Sequence, residues 1–183
     1  ELLSENIIFI YMLMGVELLI VFGLSFLINK IPSIVAFFAF VIYAALNGIT
    51  LSPIFLIYTG ASIFSTFFIC SAMFGALSVL GFVIKMDLTK FGSFLIMALV
   101  GLIIASVVNL FLGSSMLDWI ISFVGVAIFV GLTVYDTQKL KNMAGSVDSS
   151  SEDGKKASVM GALTLYLDFI NLFLLLLRLL GRR

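Results

Sequence analysis

Four charged residues stand inside long apolar runs: Glu17, Asp136, Asp168 and Arg178. A charge at the centre of a bilayer costs about 2.5–3.5 kcal/mol on insertion scales, so such residues face a bundle interior, pair, and mark a pathway. Asp136 ends one apolar run, just ahead of a polar extension, and Asp168 sits in the middle of the next, in YLDFIN. If the two runs form an antiparallel helical hairpin, a rise of 1.5 Å per residue puts the carboxylates roughly 10 and 15 Å from the same end. They then lie at nearly one level. Two carboxylates in so poorly hydrated a place cannot easily both ionise, and they share a proton and titrate as one unit. That is a pH sensor made without histidine, which the chain lacks entirely. Doubly ionised, the same pair offers hard oxygen ligands and a charge of about −2, which suits Ca²⁺ as a bound or transported ion. Carbonyls or water would complete the shell.

Further polar residues point to a hydrated interior. Asn47, Asn109 and Asn171 each fall within an apolar run, and Asn171 shares a helix face with Asp168 three residues before it. Thr50, Ser52 and Pro53 interrupt another run, which is tolerated where neighbours or water satisfy the freed backbone. Glu17 and Arg178 complete the set, Arg178 near the end of the last run, where a long side chain can also snorkel to the interface.

The elements that must position these groups follow from composition. Of 183 residues, 62% are apolar and 11% charged, against about 45–50% and 25% in soluble domains. Six apolar stretches account for most of the length: residues 7–28, 34–58, 63–84, 91–112, 116–135 with a polar helical extension to 141, and 159–180. Each is near the roughly 20 residues a spanning helix needs. The expectation is one all-α, polytopic membrane domain over 1–183, a multi-pass helix bundle in a lipid bilayer. Breaks such as Asn29-Lys30-Ile31-Pro32, Lys85-Met86-Asp87 and Gly113-Ser114-Ser115 suit helical hairpins. Only the stretch 145–157, rich in Ser, Gly and charge, reads as a flexible polar loop. Small residues at Ser71/Gly75, Ala72/Ala76 and Gly101/Ala105 suggest closely packed helix faces.

Ten basic residues balance ten acidic ones, so no global field recruits nucleic acid. Without histidine there is no imidazole-ligated zinc or haem and no Ser-His-Asp triad. The single cysteine, Cys70, reads as a small hydrophobe. Neither a catalytic constellation nor a cofactor is expected. The seven lysines fall in three alternate connections, which the positive-inside rule assigns to the cytoplasm, while Arg178, Arg182 and Arg183 fall at the opposite end. No basic stretch precedes the first apolar run, so a cleavable signal peptide is not expected.

GITLSP over 48–53, Tyr135-Asp136, and LTLYLDFINLF over 163–173 followed by Arg178 together resemble the Bax inhibitor-1, or transmembrane Bax inhibitor motif, family. The short loops look like those of a compact bacterial member, which implies the cell membrane. The resemblance implies a seven-helix fold with a central last helix, and so a first helix ahead of Glu1. It also implies a pH-sensitive Ca²⁺ leak in which Asp136 and Asp168 are the sensing pair and Glu17 and Arg178 form an interhelical latch. A basic partner for the pair is represented at best by Lys30.

Two other readings use the same bundle. A non-transporting regulator would bind a membrane protein partner, such as a protease or a cell-death factor. An intramembrane aspartyl protease would use Tyr135-Asp136 as one half of its dyad. The second half then reads Leu165-Tyr-Leu-Asp168, without the glycine that lets a substrate strand approach.

Overall fold

Punctuation in the sequence sets the helix ends. In a computed structural model, which describes residues 2–182 and the side chains of 12–182, seven helices run along the chain. They are α1 Leu2–Leu27, α2 Ser33–Thr50, α3 Ile54–Ile57, α4 Gly60–Val83, α5 Thr89–Leu112, α6 Ser115–Ser146 and α7 Glu152–Leu180. No strand occurs among the described residues. Glu1 and Arg183, and the side chains at 7–11 of the first apolar run, lie outside them.

Among the described residues, five segments are long and apolar enough to cross a membrane: Ser33–Ile57, Gly60–Val83, Thr89–Leu112, Ser115–Ser146 and Glu152–Leu180. A further apolar helix covers Met12–Leu27. Phe111 is 87% exposed and Leu110 82%, an outward apolar surface that only lipid can solvate. The chain is a multi-pass integral membrane protein.

Local chemistry explains the breaks. Pro53 has no amide hydrogen to continue α2. The chain turns there through Leu51 N–H to Asn47 O and Ser52 N–H to Ile49 O, then resumes as α3. At the end of α5, Gly113 adopts φ 59°, a left-handed conformation open to glycine. Its amide closes on the carbonyl of Asn109 at 2.8 Å, while the Asn109 side-chain oxygen accepts from Ser114 N–H at 3.1 Å.

The polar loop expected over 145–157 is shorter, with only 147–151 non-helical. Asp148 accepts from the amide and hydroxyl of Ser150, folding the turn on itself. Ser151 Oγ caps α7 by accepting from Gly154 N–H at 3.0 Å, and Glu152 and Asp153 occupy the favourable first turn.

The helices group into two compact units, one made of the described residues up to Ile57 with Met143–Leu163, the other of Tyr58–Asn142 with the residues from Thr164 onward. In the first, α1 lies against α2, and Ser33 donates through its amide and hydroxyl to the Glu152 carboxylate. In the second, Cys70, Leu95, Phe129, Leu132, Leu172 and Leu176 share one core built from α4, α5, α6 and α7. Burial is greatest on α6 and α7, 44% and 33% of their apolar windows against 6% for α5.

Close backbone approach occurs away from the expected small-residue faces. A Cβ at Gly75 or Gly101 would meet nothing within 4 Å, whereas one at Gly81 would lie 2.5 Å from the Val134 carbonyl oxygen and 2.9 Å from Thr137 Cβ. At these two glycines the spacing does not mark a close approach within the chain, because a small-residue stripe does not say which side of its helix meets a neighbour.

Candidate functional site

Asp136 on α6 and Asp168 on α7 meet in the second unit, their carboxyl groups within hydrogen-bonding reach. Two carboxyl oxygens can bond only through a proton carried by one of them. Asp168 is 5% exposed, and its Oδ2 is buried without a hydrogen-bond partner among the described residues. The cation acting on Asp136 is Lys139, one turn further along α6. Its spacing of three was visible in the sequence, as an i,i+3 pair on one helix face.

The end of α6 that carries Asp136 is fixed by a side-chain clamp. Gln138 accepts from Leu88 N–H at 3.1 Å and donates to the carbonyls of Met86 at 2.8 Å and Ile84 at 3.3 Å. One side chain thus satisfies three backbone groups in the turn between α4 and α5. Lys141 adds a bond to Phe82 O at 2.7 Å and lies 5.0 Å over its ring. Nothing local in the sequence marks Gln138, because all its partners lie about fifty residues away.

A cavity of about 710 Å³ runs beside the pair, lined by α5, α6 and α7. Along α6 its lining extends from Lys139 through Asp136, Leu132 and Ile121 to Asp118. That interval of 21 residues corresponds to about 32 Å at the helical rise, comparable with the roughly 30 Å hydrocarbon core of a bilayer. Its walls are mainly apolar, with Ser106, Asn109, Thr164 and Asn171 interspersed. Asn171 donates through Nδ2 to Leu167 O at 2.8 Å, which leaves its Oδ1 an acceptor. Asn109 lines the same cavity and builds the turn after α5.

At the far end Arg178 Nη1 meets Asp118 Oδ1 at 3.0 Å. The α6 interval from Asp118 to Asp136 is 18 residues, and the α7 interval from Asp168 to Arg178 is 10. At the helical rise these are about 27 and 15 Å, so Arg178 must extend along its helix to reach Asp118. Sequence reasoning passed over Asp118, which resembles an ordinary acidic residue of a helix's first turn. Depth arithmetic does not find it either, because the two helices place the groups about 12 Å apart in level and only the reach of the Arg178 side chain closes the gap.

Glu17 and Asn47 belong to the other unit. Glu17 is 8% exposed and accepts a hydrogen bond from the Thr50 hydroxyl. One helical turn before Thr50, Asn47 donates to the Tyr43 hydroxyl at 3.0 Å.

Among the described residues no third Asp, Glu, His or Cys joins Asp136 and Asp168 as a metal-binding group. Ca²⁺ takes six to eight oxygens. At this pair any further ligands to such an ion would have to be neutral oxygens or water.

The family model for the inhibitor of apoptosis-promoting Bax1 matches residues 2–183. The chain belongs to the Bax inhibitor-1 family. An inner membrane protein of Escherichia coli, YbhL, is 50% identical over the whole chain, which covers 79% of that relative. Uncharacterised family relatives include one from Borreliella burgdorferi, 47% identical over 98% of this chain and 77% of its own length. Another, from Rickettsia prowazekii, is 56% identical over 79% of this chain and 61% of its own length. None of these names is that of an enzyme.

Proposed function

We propose that this Bax inhibitor-1 protein is a pH-sensitive Ca²⁺ leak of the bacterial inner membrane, with Asp136 and Asp168 as its titrating station. The observation supporting this most is the lengthwise cavity. It combines an axial extent close to a bilayer's hydrocarbon thickness with a carboxyl pair at one end and a carboxylate at the other. Intramembrane carboxylates that line a cavity favour cations, and a pathway needs sites that bind weakly enough to release.

The mechanism follows from charge. With one shared proton, the two carboxyl groups hold α6 to α7 through a single bond. Once that proton leaves, two like charges face each other in a weakly screened site, and Lys139 is adjacent to only one of them. A divalent cation relieves the repulsion, and so does separation of the helices. Proton and Ca²⁺ therefore act on one pair, and the α6–α7 contact is the element they bias.

Purified full-length protein in liposomes loaded with a Ca²⁺ indicator tests the reading. Ca²⁺ entry faster than in protein-free liposomes is expected. Equal rates across the pH range would contradict the leak and favour a non-transporting regulator. The inner-membrane assignment, taken from the name of the Escherichia coli relative, is checked by fractionation.

A further inference from the structure

The apolar walls of the cavity, among them Leu99, Leu102 and Leu175, offer a hydrated ion no ligand. They suit an organic molecule instead. The volume of about 710 Å³ lies within the roughly 300–1,000 Å³ of small-molecule pockets, which pair apolar walls with a few convergent polar groups. Here the polar end is Asp168, which lines the cavity and whose buried Oδ2 has no hydrogen-bond partner among the described residues. The way in is from the side. Ile96, Ile103 and Val107 of α5 line the cavity and are about half exposed, so α5 alone separates it from the surrounding lipid.

We propose that this cavity binds a lipophilic organic cation, a single protonated amine on an apolar body of small-molecule size, with the ammonium at Asp168 and the body along α5. The inference shares Asp136 and Asp168 with the leak reading but does not require that Ca²⁺ pass. Charge favours a monocation. Doubly ionised, the pair carries two negative charges, and Lys139, the cation acting on Asp136, offsets one of them. A single ammonium completes the balance, and its N–H groups supply the donor that Asp168 Oδ2 lacks. A neutral alcohol brings no charge, and an alkyl carboxylate is repelled. The apolar body gains by burial against the leucines only when its polar end is also satisfied, so head and body select together.

Photolabelling reads this site independently of conduction. The full chain in phosphatidylcholine vesicles is irradiated with a diazirine-bearing alkylamine, and adducts are mapped by mass spectrometry. Saturable labelling of the cavity lining around Leu102 and Leu175 is expected, and dodecylamine should displace it whereas dodecanol should not. D168N removes the charge and is expected to lower labelling about tenfold at a fixed, subsaturating concentration. Ser106 lines the cavity and its hydroxyl is bonded within α5, so S106F places a ring in the cavity and should abolish labelling there. Displacement by dodecanol as effective as by dodecylamine, or undiminished labelling in D168N, would overturn the proposal. Unsaturable adducts spread over exposed rings of α4 such as Phe64 and Phe68 would overturn it too. Should D168N not fold, unchanged labelling in S106F would overturn it equally. Saturable, amine-selective labelling in a protein that passes no Ca²⁺ would contradict the leak reading alone, whereas Ca²⁺ flux without saturable labelling would overturn the amine site alone.

Discussion

The side-chain amide of Gln138 donates to the carbonyl of Met86 at 2.8 Å, two residues along α6 from Asp136. Through this bond and its companions to Leu88 and Ile84, the turn between α4 and α5 holds the end of α6 in register. Asp136 is thereby presented from a fixed support, with the backbones of α4 and α6 in close approach at Gly81. If the carboxyl pair gates as proposed, rearrangement there should fall on α7, which carries Asp168.

Gln138→Ala should lower stability by about 1–3 kcal/mol, the cost of leaving buried backbone groups unsatisfied. Thermal unfolding in detergent measures it. Q138E keeps the acceptor for Leu88 N–H but loses the donors to Met86 and Ile84, so it should be destabilised as well. A wild-type midpoint in both variants would show that the clamp carries no stability.

The turn itself should depend on pH, with a sign set by the bonds to Asp87. The Thr89 hydroxyl, at 2.6 Å, and the Thr89 amide, at 2.9 Å, donate to Asp87 and hold its carboxyl below the usual range. A carboxylate whose folded pKa is depressed stabilises fully above its unfolded pKa and loses that contribution as pH falls through the folded value. Local opening at Thr89, read by amide hydrogen exchange corrected for intrinsic rate, should increase in that acid window in the wild type. In Asp87→Ala it should be high and without that step. An identical pH profile in the two proteins would contradict the assignment.

Much of this architecture was legible in the sequence because lipid imposes a simple length rule. The apolar runs from 34 to 112 became helices within a few residues of their expected ends, and Pro53 broke its run where a missing amide hydrogen must. The adjacency of Asp136 and Asp168 followed from helical rise and an antiparallel hairpin. What escaped reading depends on tertiary contact. Gln138 acts on a turn about fifty residues away, and Asp118 finds Arg178 sixty residues on. Gly81 rather than Gly75 meets α6, a distinction of helix face that neighbouring helices decide.

Proton and Ca²⁺ should compete at the carboxyl pair. Ca²⁺ favours the doubly ionised state, and protonation removes the charge that attracts it. Apparent Ca²⁺ affinity, measured by isothermal titration at two pH values, is therefore expected to fall in acid. Affinity that is constant, or that strengthens in acid, would contradict competition. The variant D136N/D168N should bind Ca²⁺ weakly at both pH values.

On the proposed function, Asp136 and Asp168 are one titrating unit controlling Ca²⁺ passage. The most direct measurement is the pH profile of Ca²⁺ flux in liposomes for the wild type, Asp136→Asn and Asp168→Asn. Either substitution leaves a lone carboxyl group that no longer shares a proton. Each single variant is expected to lose most of the pH dependence seen in the wild type. Wild-type pH profiles in both single variants would contradict the claim.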